Sequence, residues 1–311
     1  MSIEKYVKNI CINAKTASKQ ISCIDENAKN LILESLISDL DKNRERIISA
    51  NNIDVERFKN SENFANSFLD RLLINNDRID SIIESIKEIV LFKDPVGEIK
   101  NIKTMPSGIK VGKMSMPLGV IAMIYESRPN VTVDASALSI KSGNAMILRG
   151  GSESINTNLI LLECIENALL KNKMDKNIVQ LIDNVDRKIV NELLTQNNYI
   201  DIVIPRGGKN LIKLIDKIAS IPVLRHLDGI CHVYIDKDAD IEKAINISIN
   251  SKTQRTGVCN AMETLIVNKH IANDFLPIIF DQLERKNVEV RGCENTRKIL
   301  NSIKHANEED W

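Results

Sequence analysis

The sequence has no long apolar run, no signal-peptide core and no excess of charge of either sign. Apolar stretches such as Val120–Ile124 are far too short to cross a bilayer, and the N-terminus mixes polar and apolar residues. Lys and Arg together number 42, as do Asp and Glu, so no global field favours nucleic acid or an anionic membrane. We therefore expect a cytoplasmic protein without a nucleic-acid or membrane partner.

Cysteines are few and scattered. The chain has six, none in CxxC spacing: Cys11, Cys23, Cys164, Cys231, Cys259 and Cys293. In a chain of 311 residues this pattern favours reduced thiols over a disulfide framework. Cys231-His232 is the only adjacent Cys/His pair, and it has no second cluster, so we expect no metal site.

The first third of the chain predicts helices followed by a hairpin. Apolar residues recur at three- and four-residue spacing through residues 1 to 92, and Asn76 and Asp77 are candidate caps of the last helix. From Ile102 to Met116, a Pro106-Ser-Gly108 centre flanked by alternating residues predicts a β-hairpin. An arm of this kind contributes little to its own core, so we expect it to dock on another subunit of a homo-oligomer.

From Pro117 onward, short apolar strands alternate with helical segments. Repeated β-α units with almost unbroken apolar strands predict a doubly wound parallel sheet covered on both faces. A second α/β unit is expected to begin near Asp236. The predicted domains are therefore 1–101 with 117–235, the hairpin 102–116, and 236–311.

Three loops at predicted strand ends carry candidate binding residues: Tyr125–Asn130, Leu148–Glu153 and Ile204–Lys209. The last two each contain Arg-Gly-Gly, and glycines let backbone N–H groups approach a phosphate. Neither loop matches GxGxxG, so the ordinary dinucleotide fingerprint is absent. The alternatives are tight turns and, for Asn130, a helix cap.

Cys259 is the strongest candidate nucleophile. It lies between a helix-like stretch, Ile241–Ser251, and an apolar stretch, Thr264–Val267, and Gly257 lies beside it. A thiolate at such a junction is a strong nucleophile with backbone N–H groups available for an oxyanion. The alternative is that Cys259 is a small buried apolar residue.

Several longer runs allow a comparison with a known family. They are Pro117–Val120, Ile124–Asp134, Lys141–Gly151, Ile204–Gly208, Gly229–Asp236 and Asn250–Glu263. Together they resemble the γ-glutamyl phosphate reductases of proline biosynthesis, a family within the aldehyde dehydrogenase superfamily. The resemblance extends from near the N-terminus to Trp311. It implies an aldehyde dehydrogenase-like α/β fold: an NADP-binding domain, a catalytic domain and an oligomerisation hairpin.

The resemblance implies NADPH-dependent reduction of L-glutamyl 5-phosphate to L-glutamate 5-semialdehyde. Cys259 would displace phosphate to form a thioester, and its backbone N–H would stabilise the oxyanion. Asn130 is the candidate second donor by residue type, although it does not align cleanly with the superfamily asparagine. Glutamate 5-kinase is a candidate partner, because it could pass on the acyl phosphate directly.

The same resemblance implies two groups of binding residues. Arg149, Gly150, Gly151 and Ser152 correspond to the strand end that meets the adenosine ribose, where a basic residue suits the 2′-phosphate of NADPH. The segment that contacts the pyrophosphate corresponds to Pro205, Arg206, Gly207 and Gly208.

Two arginines are candidates for the substrate. Arg128 and Arg255 could bind the substrate carboxylate or phosphate, since guanidinium groups bind both bidentately. The alternative for each is a structural ion pair.

Two departures from the superfamily shape the functional hypothesis. His226 stands where hydrolytic aldehyde dehydrogenases carry the water-activating glutamate, with Asp228 as a conceivable substitute, and this favours reduction over hydrolysis. The family also continues well past Trp311. The catalytic domain is therefore expected to be incomplete, and the chain to be poorly soluble or inactive by itself. Two alternatives stay open: a hydrolytic aldehyde dehydrogenase, and an inactive remnant that binds only nucleotide or partner subunits.

Overall fold

The chain divides into two compact units, Met1–His226 and Leu227–Trp311. The computed structural model describes residues 2–60, 66–186, 188–224, 229–256 and 258–310. The sequence placed the boundary after Ile235, but the strand Cys231–Ile235 belongs to the second unit because it pairs with a strand there.

Helices form the N-terminal part of the first unit, as predicted. They are α1 (Ile3–Ile21), α2 (Glu26–Lys42), α3 (Arg44–Lys59), α4 (Asn66–Leu72) and α5 (Asn76–Leu91). Side-chain oxygens of Ser2, Asp25 and Asn75 accept from backbone N–H groups in the first turns of α1, α2 and α5. The cap of α5 is thus Asn75, and the prediction of Asn76 or Asp77 was wrong by one or two residues.

The predicted hairpin is present and begins three residues before the predicted Ile102. Strands β1 (Ile99–Thr104) and β2 (Lys110–Met114) pair antiparallel. Gly108 has a φ of 85°, which glycine adopts without strain, and its N–H donates to the Met105 carbonyl over 2.8 Å. All residues of both strands are exposed, and more than half of each large apolar side chain, such as Ile99 and Ile102, remains accessible to solvent.

A parallel sheet forms the centre of the first unit. Its strands are β3 (Val120–Tyr125), β4 (Ala145–Arg149), β5 (Val179–Leu181) and β6 (Ile202–Arg206), in the order β5-β4-β3-β6. The helices that follow these strands in turn are α6 (Pro129–Lys141), α7 (Ile155–Lys171), α8 (Lys188–Leu193) and α9 (Lys209–Ile218).

Helices cover both faces of this sheet. Ile121 packs in a core cluster with residues of α2, α5, α6 and α7, whereas its neighbours Val120 and Ala122 pack in a second cluster with residues of α1, α8 and α9. This alternation follows from the two-residue period of a strand. It confirms the doubly wound parallel arrangement predicted from the sequence.

The second unit is a smaller α/β body with its own apolar core. Its elements are β7 (Cys231–Ile235), α10 (Ile241–Thr253), β8 (Met262–Val267), α11 (Ala272–Arg285), β9 (Arg291–Gly292), α12 (Glu294–Ile299) and β10 (Lys304–His305). Strands β7 and β8 pair parallel, as do β9 and β10. Phe275 is fully buried at the centre of the core cluster.

Three short 3₁₀ turns complete the described elements, at Ser152–Ser154, Lys176–Ile178 and Glu308–Asp310. Within the described ranges, every helix is too short or too polar to span a membrane.

Candidate active site

The three candidate loops lie at one edge of the first unit's sheet. Ile124 is opposite Arg149, and Tyr125 is opposite Arg206, so β3, β4 and β6 end side by side. The chain winds outward from β3 through β4 to β5, and then returns to add β6 on the other side of β3. Open α/β sheets bind ligands at the carboxyl ends of the strands, where the winding direction reverses.

The Arg149 side chain is buried against its own loop. Its guanidinium donates to the carbonyls of Gly150 and Val185, the latter over 3.1 Å, and only 9% of the residue is exposed. Burial lowers the pKa of this guanidinium. Its Nε atom is buried and has no hydrogen-bond partner among the described residues. The Nε–H of Arg149 therefore has no partner within the described part of the protein. The assignment of Arg149 to an adenosine 2′-phosphate stays a prediction.

The glycines after β4 are required by neighbouring side chains. A Cβ atom on Gly150 would lie 2.6 Å from Asn158 Nδ2 and 3.1 Å from the Tyr125 ring. Tyr125 Oη and Thr132 Oγ1 are 2.7 Å apart, and Thr132 donates to Asn158 over 2.9 Å. Gly151 is similarly confined, because its Cβ would lie 2.7 Å from Ser127 Oγ. Close packing is therefore one reason for Gly-Gly at this position, in addition to any phosphate contact.

Replacing Gly150 with alanine is expected to destabilise the protein by about 1–3 kcal/mol, because the new methyl group overpacks a buried hydrogen-bond network. Chemical denaturation measures this loss. Gly208→Ala is the matched control, since its nearest atom, Glu126 Oε1, would be 3.4 Å from the Cβ. Equal stabilities of the two variants would contradict the packing argument.

The loop after β6 is held by Glu126, a residue to which the sequence assigned no role. The Gly208 N–H donates to Glu126 Oε1 over 2.7 Å, and the Glu126 N–H donates to the Arg206 carbonyl over 3.1 Å. Gly208 is the N-cap of α9, where the helix dipole favours an anion. This N–H therefore donates to a carboxylate oxygen at a position where the helix favours an anion. The predicted contact of Pro205–Gly208 with a cofactor pyrophosphate remains a prediction.

Arg128 and Asn130 flank the start of α6. Arg128 is the N-cap, and Pro129 occupies the first helical position, which suits its fixed φ. Asn130 lies inside the helix and donates from Nδ2 to Asp134 Oδ2 over 3.0 Å, so the alternative that Asn130 is the cap was wrong. Their predicted roles, Arg128 toward substrate and Asn130 toward an oxyanion, stay predictions.

Cys259 lies in the second unit, in the connection between α10 and β8, as the sequence indicated. Its side chain is exposed, as is that of Arg255 in the same connection. The thiol therefore does not have the buried position that the alternative required. Cys231, at the start of β7, donates from Sγ to the Cys259 carbonyl over 3.4 Å.

The other cysteines divide by burial. Cys11 and Cys164 are buried, and burial raises the pKa of each thiol to about 12, which makes them inert near neutral pH. Cys23 and Cys293 are exposed. The hydrogen bond with Thr296 lowers the pKa of the Cys293 thiol, so Cys293 is a useful reference thiol.

Two positions discussed from the sequence, His226 and Asp228, lie outside the described residues. Among the residues that the structure describes, no three His, Cys, Asp or Glu side chains are grouped so as to hold a metal ion.

The chain therefore combines a doubly wound parallel sheet in its first unit with a second α/β unit that carries an exposed thiol. The chain belongs to the aldehyde dehydrogenase family, whose model matches residues 3–298. It is 47% identical over 310 residues to a γ-glutamyl phosphate reductase of Ruthia magnifica, and 45% identical to one of Clostridium tetani. The chain spans 74% of the length of each of these relatives.

Solved structures give the same family. A γ-glutamyl phosphate reductase of Thermotoga maritima superimposes with a TM-score of 0.92 at 39% identity, over 98% of this chain and 73% of that one. This agreement confirms the fold class and the family resemblance predicted from the sequence motifs.

Proposed function

We propose that the protein reduces L-glutamyl 5-phosphate to L-glutamate 5-semialdehyde and releases phosphate, a step of proline biosynthesis. The observation that carries this proposal is the 47% identity to a γ-glutamyl phosphate reductase along the whole chain. The exposed Cys259 between α10 and β8 supports it, because this chemistry needs an accessible nucleophile.

As a member of the aldehyde dehydrogenase family, the protein uses NAD or NADP. One feature of these loops fits a dinucleotide: Arg149 has a buried Nε without a hydrogen-bond partner among the described residues. We propose that Arg149–Ser152 bind the adenosine ribose and its 2′-phosphate, and that Pro205–Gly208 bind the pyrophosphate. When bound, the dinucleotide supplies the hydride.

Cys259 supplies the covalent step in this proposal. Its thiolate attacks the acyl carbon of the substrate, and an S–C bond forms as the C–O bond to phosphate breaks. The acyl phosphate is already activated, because phosphate is a good leaving group. This displacement therefore needs no general acid to protonate the leaving group. The Cys259 backbone N–H is the proposed donor to the oxyanion that forms on the way to the thioester.

The proposal includes a homo-oligomer built through the β1–β2 hairpin. Ile102 is 63% exposed and Ile109 is 64% exposed, which is costly surface for an isolated subunit. We also propose that glutamate 5-kinase transfers the unstable acyl phosphate directly to this protein. The proposal further includes a cytoplasmic location, which keeps the thiols reduced.

Phosphate dependence tests this function in the reverse direction. With glutamate 5-semialdehyde, NADP reduction is expected only when inorganic phosphate is present, because the thioester must be cleaved by phosphate. NADP is expected to be preferred over NAD by at least about tenfold, or roughly 1.4 kcal/mol. Steady turnover without phosphate would instead support a hydrolytic aldehyde dehydrogenase, and nucleotide binding without turnover would support an inactive remnant.

A further inference from the structure

Cys231 and Cys259 are adjacent in the second unit although 28 residues separate them. Cys231 begins β7 and is paired with Met262 at the start of β8, and the turn containing Cys259 leads directly into β8. Parallel pairing thus brings the amino ends of the two strands together. The Cys231 Sγ is 3.4 Å from the Cys259 carbonyl oxygen.

The two cysteines are close enough for a disulfide to form after a local shift of the turn that contains Cys259. A carbonyl oxygen lies about 2.4 Å from its own Cα, which puts the Cys259 Cα within about 6 Å of Cys231 Sγ. The Cys231 Cα lies about 2.8 Å from its own Sγ, so the two Cα atoms are at most about 9 Å apart. Disulfides join Cα atoms roughly 4.4–6.8 Å apart, so the bridge requires a shift of the Cys259 turn of at most a few ångströms. Gly229 is next to both residues and has no side chain to fill the space; its Cβ would lie 3.8 Å from Cys231 Sγ.

Solvent reaches this pair. Cys259 is exposed and Cys231 is partly exposed, and the residues beside Cys231 on its N-terminal side, Gly229 and Ile230, are exposed as well. Cys259 lies in a turn between α10 and β8, where a small backbone shift breaks no strand pairing. An oxidant can therefore reach Cys259, and the turn can adjust to bring its sulfur to Cys231.

We propose that Cys231 is a resolving thiol, which forms a reversible disulfide with Cys259 when a peroxide oxidises the nucleophile. This inference rests on the proposed function in one respect, because both take Cys259 to be a reactive thiolate. Its consequence is protection, because a sulfenic acid that meets no second thiol is oxidised irreversibly to sulfinic and sulfonic acids.

The chemistry uses hydrogen peroxide as the oxidant. The Cys259 thiolate attacks one peroxide oxygen, the O–O bond breaks, and the products are a Cys259 sulfenic acid and hydroxide. The Cys231 thiolate then attacks the sulfenic sulfur, so that an S–S bond forms and the S–O bond breaks. The departing hydroxide takes up the proton lost from Cys231 and leaves as water. A dithiol reductant reverses the disulfide and is itself oxidised.

Peptide mass mapping after brief peroxide treatment of the full chain tests this assignment without relying on turnover. The wild-type protein is expected to lose two thiols and to yield a Cys231–Cys259 linked peptide that dithiothreitol removes. Cys231→Ser is expected to accumulate Cys259 sulfinic acid instead, which dithiothreitol does not reverse. Cys293→Ser is the matched control, because it removes another exposed thiol and is expected to behave like the wild type.

The outcomes separate this inference from the proposed function. A linked peptide in a protein that shows no reductase activity would support the resolving thiol while contradicting the function. The inference is overturned if Cys259 is over-oxidised equally fast in the wild type and in Cys231→Ser, or if Cys259 is linked to Cys23 or Cys293 instead. Both of these contradicting results can be detected with the wild-type protein and Cys231→Ser alone.

Discussion

Replacing Cys259 with serine is expected to lower the rate of phosphate-dependent NADP reduction by on the order of 10⁴-fold, the scale on which loss of an essential nucleophile is felt. A serine hydroxyl is almost fully protonated near neutral pH, and the proposed mechanism includes no general base that would remove its proton. Without a thiolate, no thioester forms. Steady-state rates with glutamate 5-semialdehyde, phosphate and NADP measure the loss.

The reference for this experiment is Cys293→Ser, which removes an exposed thiol whose pKa is lowered by its hydrogen bond with Thr296. That variant is expected to keep the wild-type rate. Nucleotide binding by Cys259→Ser should also be retained, since the proposed dinucleotide residues lie in the other unit. Activity of Cys259→Ser near that of the wild type would remove Cys259 as the nucleophile.

The largest expected loss of stability comes from Asp54→Ala in α3. The Asp54 carboxylate is fully buried at the start of α7, where it accepts from the Thr157 N–H over 2.8 Å, from Thr157 Oγ1 over 2.6 Å and from Asn156 Nδ2 over 2.8 Å. Removing it leaves the buried Thr157 N–H and hydroxyl without this acceptor and removes an anion from a helix N-terminus. We expect a loss of about 3–5 kcal/mol in the free energy of unfolding.

Urea denaturation checks this prediction. The control is Asp41→Ala, because Asp41 is 62% exposed and its ion pair with Arg44 is expected to contribute no more than about 1 kcal/mol. Asp54→Asn keeps the shape and one acceptor oxygen, so it should fall between the two. If Asp54→Ala costs no more than Asp41→Ala, the carboxylate does not anchor α7 as argued.

Elements with a strong local pattern could be predicted from the sequence. The apolar period of α5 and the unbroken apolar run of β3 each have one favourable structure, and both are observed. The short strand β9, Arg291–Gly292, could not be predicted in this way. A two-residue strand has no period of its own, and its position depends on pairing with β10.

The predicted boundary after Ile235 placed the strand Cys231–Ile235 in the first domain. Its apolar pattern is compatible with either unit. The strand belongs to the second unit because β7 pairs with β8, and no feature of the sequence predicts this pairing. The contacts of Glu126 and Cys231 were missed for the same reason, although both residues lie inside the motifs that carry the resemblance.

The sequence by itself determined the family, the doubly wound fold and the candidate nucleophile, because these depend on local patterns and on long specific motifs. Only the tertiary structure decided which groups meet. Glu126 binds the Gly208 N–H across 82 residues, Asp54 reaches Asn156 across 102, and Cys231 reaches the Cys259 carbonyl across 28. Strand order and helix packing bring distant segments together and so determine which groups a polar side chain meets. No periodicity in the sequence predicts these partners.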